Sequence, residues 1–569
     1  MSSPAPAAAA TRRKDRIYTR PEIEALIAEG RHIVIVDGKV LKCDAWMKYH
    51  PGGDKAIKHM VGRDATDEVH VLHSPEAKQR MDAFQIGRID GRWFNFVPPI
   101  QGGKFRTKAE LDALEPHAAN PELERDDSSQ GSSEASPIFE PADHDSVRRR
   151  RNDSTFTRAS SPTSVSSVEL EEPKEKPKMS FLDIRTQQEI SLDLDKYPPL
   201  KPEVQDEIVR KYRALEERIK AEGLFQCRYT SYLIELSRYS LFFGLFFYFL
   251  QAGWYCTSAF FLGCFWHQLV FTAHDAGHMG ITHDYHTDSV IGIVIADFLG
   301  GLSLGWWKRN HNVHHIVTNH TEHDPDIQHL PFFAISHRFF ESVTSTYYDK
   351  VLQYDAAARF FIRFQDMLYY PILCFGRFNL YRLSWVYLLS TQAPSRGPAW
   401  WHRYLEIAGQ IFFWYWFGFQ VVYKSIPTGW ERFAFVMISH MVTMPVHVQI
   451  TLSHFAMSTA DLGTHESFPQ KMLRTTMDVD CPEWLDFFHG GLQFQAIHHL
   501  YPRIPRHNLR RTQRLVMDFC DDVQIPYGLY GFADGNRKVI SRLGDVARQA
   551  TILAACQKSM IENGDYGMH

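Results

Sequence analysis

Between Arg238 and His274 the chain runs for 35 residues without one Asp, Glu, Lys or Arg. A single helix of that length would be about 50 Å long, well over the roughly 30 Å hydrocarbon core of a bilayer. Two helices that turn near residues 251–254 resolve the mismatch, so the run is expected to fold as a helical hairpin. A second pair is expected over residues 404–423 and 433–455, on either side of a short turn with Lys424, Pro427 and Gly429. Residues 367–389 are apolar but carry Arg377 and Arg382, and read as an interfacial helix. Four transmembrane helices in two hairpins follow from this pattern. Lys and Arg are frequent before, between and after the hairpins and sparse in their short turns, which puts the N-terminus, the central loop and the C-terminus in the cytosol.

Three histidine clusters fall on that same side: His274-Asp-Ala-Gly-His278, His311-Asn-Val-His314-His315 and Gln495-Ala-Ile-His498-His499. Spacings of three or four residues put imidazoles on one face of a helix, where they can converge on a metal. A lone histidine on a helix is by default a hydrogen-bonded packing residue; three clusters on one membrane face are not explained that way. A zinc site needs only three or four protein ligands, so seven histidines predict two metals. Imidazole suits iron, zinc and copper alike, and the residue types do not choose among them. Asp275, Asn312, Asp324 and Asp326 are expected to orient these imidazoles by hydrogen bonds, and Trp306, Trp307 and Tyr501 to anchor the membrane interface.

The 569 residues leave room for several domains, and a net charge of −4 gives no signal for nucleic acid. Eight cysteines are scattered without a C-x-x-C pair, which argues against a disulfide scaffold and a thiolate metal site and fits a reducing, cytosol-facing setting. The basic run from Arg12 to Arg16 has no apolar core after it, so no secretory signal is expected. The composition divides the chain into a disordered N-terminus (1–16), a compact soluble domain (17–97), a disordered Ser/Pro/charged linker (98–200), the membrane domain (201–540) and a C-terminal tail (541–569). The run Arg148 to Arg151, followed by Ser154, reads as solvated linker charge. Asn152 and Asn319 match the N-glycosylation pattern but face the cytosol in this topology and are discounted.

In the soluble domain His50-Pro51-Gly52-Gly53 is followed by Asp64-Ala65-Thr66 and then His73. This resembles a cytochrome b5 domain, a small α+β haem-binding fold. The resemblance implies that His50 and His73 are the axial ligands of haem b; His59 and His70 do not occupy the matched place. Two axial imidazoles leave no open position, so such a haem carries electrons and does not bind oxygen. Zinc has no use for an electron supply, which selects iron for the histidine clusters.

The membrane portion in turn resembles the membrane-bound fatty-acid desaturase family, an all-α membrane domain with a cytosolic helical cap. Gln495 at the start of the third cluster marks the front-end group with a fused cytochrome b5 domain. Asn310-His-Asn-Val-His-His, Asp324-Pro-Asp326 and Gln493-Phe-Gln-Ala-Ile-His-His-Leu-Tyr-Pro-Arg-Ile-Pro-Arg-His-Asn508 look most like the Δ8-sphingolipid desaturases of fungi. The resemblance implies a multidomain oxidoreductase that introduces a double bond into a sphingoid base, with two Fe ions, dioxygen as co-substrate, an NADH-cytochrome b5 reductase as electron donor and ceramide or another sphingolipid as substrate, in the endoplasmic reticulum. The alternatives are a front-end fatty acyl desaturase, a related lipid hydroxylase and a tethered electron carrier that binds zinc. It also implies His274, His278, His311, His314, His315, His498 and His499 as iron ligands, with one more histidine from the last span and no catalytic residue beyond the ligands. His440, His447 and His454 recur every seven residues. His454 is the expected ligand, because His447 and His440 would lie about 10 and 20 Å deeper. Gln495 is a ligand, a hydrogen-bonding neighbour of one, or a substrate contact.

Overall fold

The computed structural model describes residues 14–96 and 180–562. The expected disordered N-terminus and linker, the basic run with Ser154, and Asn152 lie largely or wholly outside these residues. The first part is built on four strands, β1 (Ile17–Tyr18), β2 (Ile33–Val36), β3 (Lys39–Lys42) and β4 (Gln85–Ile89), in the spatial order β1-β4-β3-β2. β1 runs parallel to β4 and the other pairs are antiparallel. Asp37 and Gly38, at φ of 50° and 69°, make the two-residue turn whose twist suits a β2–β3 hairpin. β2 reads Ile-Val-Ile-Val and is buried on both faces. Ile33 and Ile35 pack with Ile23, Ile27, Val40 and Phe96, whereas Val34 and Val36 share a second cluster with Ala56, Met60, Val313, Ile316 and Val317. Alternation thus gives one face to one core of the domain and the other to a second cluster of the domain that continues onto the helix Leu304–Val317.

Residues 180–200, expected within the disordered linker, are instead folded. Ser180 caps the helix Phe181–Lys196, its Oγ accepting the Asp183 N–H at 3.1 Å. Asp193 in this helix pairs with the buried Arg474 at 2.9 Å. The next helix, Pro202–Ala221, buries Ile208, Tyr212, Leu215 and Ile219, an i, i+4, i+7, i+11 stripe packed on the helix Arg506–Val523. The tail expected from residue 541 is folded as far as Glu562: the helix Phe532–Glu562 buries Val539, Leu543, Val546 and Ala550 at helical spacing.

The uncharged run forms the end of the helix Tyr229–Gln251 and most of the helix Tyr255–Gly277, with the turn at residues 252–254 where Gly253 takes a φ of 77°. A second pair consists of His402–Phe413, continued as a π-helix to Ser425, and Gly429–Met441 with Met444–Phe455. Tyr229–Gln251 and Gly429–Phe455 are long and apolar enough to cross a membrane; Tyr285–Leu299 and Leu304–Val317 meet the same measure as a pair but are bent by 117°. Leu233, Ile234, Leu241, Phe247, Ile411, Phe412, Phe419 and Phe433 are exposed along these helices. Such a belt marks a membrane protein. The single interfacial helix expected over residues 367–389 is two, Gln365–Leu373 and Gly376–Leu389, and Arg377 is buried inside the bundle, its guanidinium 4.2 Å from the Trp266 ring centre.

Candidate metal centre and haem cleft

Each histidine cluster sits at a helix end that local sequence defines. His274 stands in the last turn of Tyr255–Gly277, and His278 is its C-cap. The second cluster lies on Leu304–Val317, whose N-cap Ser303 accepts the Trp306 N–H. Before it the chain turns at Gly301, where a Cβ would stand 2.4 Å from the Phe413 ring. The third cluster occupies the short helix Gln495–Leu500. Its first turn is held by Asp478, whose Oδ1 accepts the Ala496 N–H at 2.7 Å.

These elements bring the histidines into two adjacent groups. His274, His278, His311 and His498 form one and His314, His454 and His499 the other, each with ligand nitrogens within 4.8 Å of one another. His315 stands between them, its ring centre 4.9 Å from that of His278 and 4.3 Å from that of His499. His454 is thus in the cluster. His447 packs on Gly376, and His440 lies flat on Phe378 at 4.5 Å and bonds the Tyr381 hydroxyl at 3.1 Å, both apart from the two groups. Gln495 is buried at the start of the third-cluster helix.

Nε2 of His278, His498 and His499 and Nδ1 of His315 and His454 are buried without a hydrogen-bond partner. An unpaired buried polar group costs about 1–3 kcal/mol. Five in one place fit a set of metal ligands. Burial pushes His311, His315, His498 and His499 towards the neutral form that binds a metal. Burial acts on His314 in the same sense, but Asp324 and Asp326 outweigh it and raise this imidazole to about 9. Asp324 accepts the His314 Nδ1–H at 2.9 Å, which turns Nε2 towards the side where a metal could bind, and Asp326 approaches His311 Nδ1 at 3.7 Å.

The expectations for Asp275, Asn312, Trp307 and Tyr501 are corrected. Asp275 meets Arg506 and Tyr232 rather than an imidazole, because Arg506 is buried between it and Glu235. Asn312 points out of the metal centre towards Gly52. Trp307 and Tyr501 are not interfacial: Trp307 lies on His274, His278 and His311, at 4.5 Å from the last, and Tyr501 stacks on Tyr212 at 5.2 Å in the core. Asn319, at φ 59°, is buried and donates to the carbonyls of His454, Ser458 and Thr475, so it is a structural amide and no glycan acceptor.

In the N-terminal domain the rings of His50 and His73 face each other at 5.9 Å between centres, room for one metal bound through about 2 Å on each side. His50 Nδ1 bonds the Gly53 carbonyl at 2.8 Å and His73 Nδ1 the Val69 carbonyl at 3.1 Å, which leaves both Nε2 atoms to a metal. Burial lowers both imidazoles, His73 to about 3. His59 has both nitrogens engaged, by the Lys55 carbonyl and the Thr346 hydroxyl, and His70 pairs with Asp37. Val34, Val36, Leu41, Trp46 and Phe84 line the cleft beside the two histidines. The cleft fits a haem.

Residues 19–90 match the family model of the cytochrome b5-like haem/steroid binding domain and residues 250–531 that of fatty acid desaturase. A protein of Emericella nidulans described as a Delta 8-(E)-sphingolipid desaturase is 64% identical over 560 residues, 98% of this chain and 100% of its own. The chain belongs to the fatty acid desaturase family. A Delta 8-(E)-sphingolipid desaturase of Kluyveromyces lactis is 51% identical to this desaturase over 96% of the chain and 95% of its own length. A Delta(8)-fatty-acid desaturase of Helianthus annuus is 37% identical over 60% of this desaturase and 74% of its own length. The desaturase is an oxidoreductase whose N-terminal module transfers electrons and whose substrate is a lipid.

Proposed function

We propose that this desaturase introduces the Δ8 double bond, in the E geometry, into the long-chain base of ceramide. The observation that carries the reading is the identity of 64% over essentially the whole of both chains with a protein of that description. The fatty-acid relative is both less similar and matched over a shorter part. In the reaction one dioxygen, two electrons and two protons, with two hydrogens from adjacent methylenes, give one double bond and two waters.

His274, His278, His311, His314, His315, His454, His498 and His499 would hold two irons, and His50 and His73 a haem b. When bound, the irons supply the oxygen chemistry that removes hydrogen from an unactivated methylene. The chain's own contribution is to orient the imidazoles, to hold His311, His315, His498 and His499 neutral by burial, and to keep water out. Asp324 and Asp326 fix the second cluster, Asp478 fixes the third, and Trp307 covers the first two. In this reading the two helix pairs give four membrane spans, with both termini and all clusters on the cytosolic side of the endoplasmic reticulum, where a nicotinamide-dependent reductase reduces the haem.

Ceramide offered to the purified chain with reduced nicotinamide and a cytochrome b5 reductase tests this reading. It predicts one dioxygen consumed per double bond formed, and two irons with one haem per chain. Zinc in place of iron, or desaturation of an acyl ester while ceramide stays intact, would overturn it.

A further inference from the structure

The helix that carries the second histidine cluster is also the surface on which the haem domain sits. Val313, Ile316 and Val317, with Tyr347, share one apolar cluster with Val34, Val36, Ala56 and Met60. Charged pairs stand at its edge. Arg309, one turn before Val313, reaches Asp54. Lys55, 3% exposed, donates to Asp349 Oδ2 and to the Thr346 carbonyl, both at 2.7 Å. Small polar interfaces leave domains free to move, whereas an apolar centre flanked by charge pairs, each with its cationic partner buried, holds them in register.

Both haem-ligand segments end on cluster segments. A Cβ at Gly52 would stand 2.8 Å from Asn312 Nδ2 and 2.9 Å from His50 Cε1, so the Asn312 amide packs against the His50 loop, and Asn312 directly follows His311. Arg503, four residues beyond His499, donates to the His73 carbonyl at 3.0 Å. One cavity of about 1150 Å³ is lined by His50, His73, Asn312, Arg503 and His278.

We propose that this docked arrangement is the electron-transfer state: Asn312 and Arg503 position the two haem-ligand segments against the second and third clusters, and the pairs Asp54–Arg309 and Lys55–Asp349 keep them there. Electrons then pass within the chain without the haem domain leaving its seat. Each transfer oxidises a ferrous haem to ferric and delivers one electron to the iron site, and two transfers serve one double bond. The inference rests on the function proposed above.

The test uses the full-length chain with haem and iron, reduced by dithionite and mixed with dioxygen and ceramide while the Soret band is followed. Asp54→Arg and Asp349→Lys should each slow substrate-dependent haem reoxidation about tenfold or more, with haem and iron content unchanged. The charge swaps Asp54→Arg with Arg309→Asp, and Lys55→Glu with Asp349→Lys, should restore it. Amide hydrogen exchange over residues 54–60 should quicken in the single variants and recover in the swaps, a readout independent of turnover. If Asp54→Arg fails to fold, Asp349→Lys, whose native side chain is 60% exposed, carries the same test. Single variants that reoxidise at the wild-type rate, or residues 54–60 as unprotected in the wild type as in the variants, would overturn the proposal. Failure to form the sphingoid double bond strikes the proposed function instead.

Discussion

The Oδ1 of Asp478 accepts the backbone N–H of Ala496 at 2.7 Å and ties the strand Asp478–Asp480 to the first turn of the helix that carries the third histidine cluster. Oδ2 of the same carboxyl takes the Tyr527 hydroxyl and, at 2.9 Å, the Gln513 amide. Asp478→Ala leaves these donors unpaired inside the protein. It should destabilise the fold by about 3 kcal/mol and lower the iron content. Thermal melts and metal analysis of the purified variant check both.

The same residue sets a pH dependence. Burial pushes the Asp478 carboxyl up to about 7, although Tyr527, the Ala496 amide and Gln513 draw it back. In the unfolded chain the group ionises near ~3.9. Between these values the folded protein keeps a proton that the unfolded chain has lost, so this group's contribution favours folding most below about pH 4, declines as the pH rises to about 7 and is level above. Asp478→Asn should remove that decline, which melting curves between pH 5 and 8 would reveal as a flatter profile than the wild type's.

Arg474 is held by Glu466 at 2.7 and 2.9 Å and by Asp193 at 2.9 Å, all three side chains being largely buried. Removing one partner of such a group strands the remaining charges. Arg474→Met should therefore cost about 3–5 kcal/mol. It should also free the helix Phe181–Lys196, which limited proteolysis would detect as new cleavage within residues 181–196.

Asn319 supplies one amide to three carbonyls, one of them that of His454. Asn319→Ala should lower stability by about 2–4 kcal/mol. Glycosidase treatment of the wild type should leave its electrophoretic mobility at this site unchanged; a mobility shift lost in the variant would contradict the buried placement.

Of the three histidines spaced by seven, His454 alone faces His314 and His499, at 4.6 and 4.9 Å between ring centres. His454→Ala should lose iron, whereas His447→Ala and His440→Ala should retain it. Metal analysis of the three variants decides, and iron loss on replacing His447 with retention on replacing His454 would reverse the assignment.

The parts of this centre that local pattern carries were legible in advance. Helical spacing brings His274 to His278 and His311 to His315, the uncharged run turns beside Gly253, and the seven-residue recurrence singles out His454 by depth. What the sequence did not announce depends on contacts between distant residues. Low hydrophobicity hid the helix Phe181–Lys196, because its contacts are with distant residues: Arg474, 281 positions beyond Asp193, and Arg542, which pairs with Glu189. Trp307 looked like an interfacial anchor because nothing local says that Gly277 leaves room for its ring, where a Cβ would stand 2.1 Å away. Asn312 looked like an orienter of imidazoles because the haem domain that it meets lies some 260 residues away in sequence. Asp478 carried no local sign at all, since its role is defined by Ala496, Gln513 and Tyr527.

In the proposed reaction the haem and the two histidine groups act together on a sphingoid base. Long-chain bases from a host that lacks Δ8-unsaturated species test it most directly. Expression of the wild-type chain should yield a base two mass units lighter, with the double bond at the eighth carbon, and His50→Ala and His311→Ala should each abolish it. A base left unchanged while an acyl chain gains the double bond, or product that persists with His311→Ala, would contradict the account.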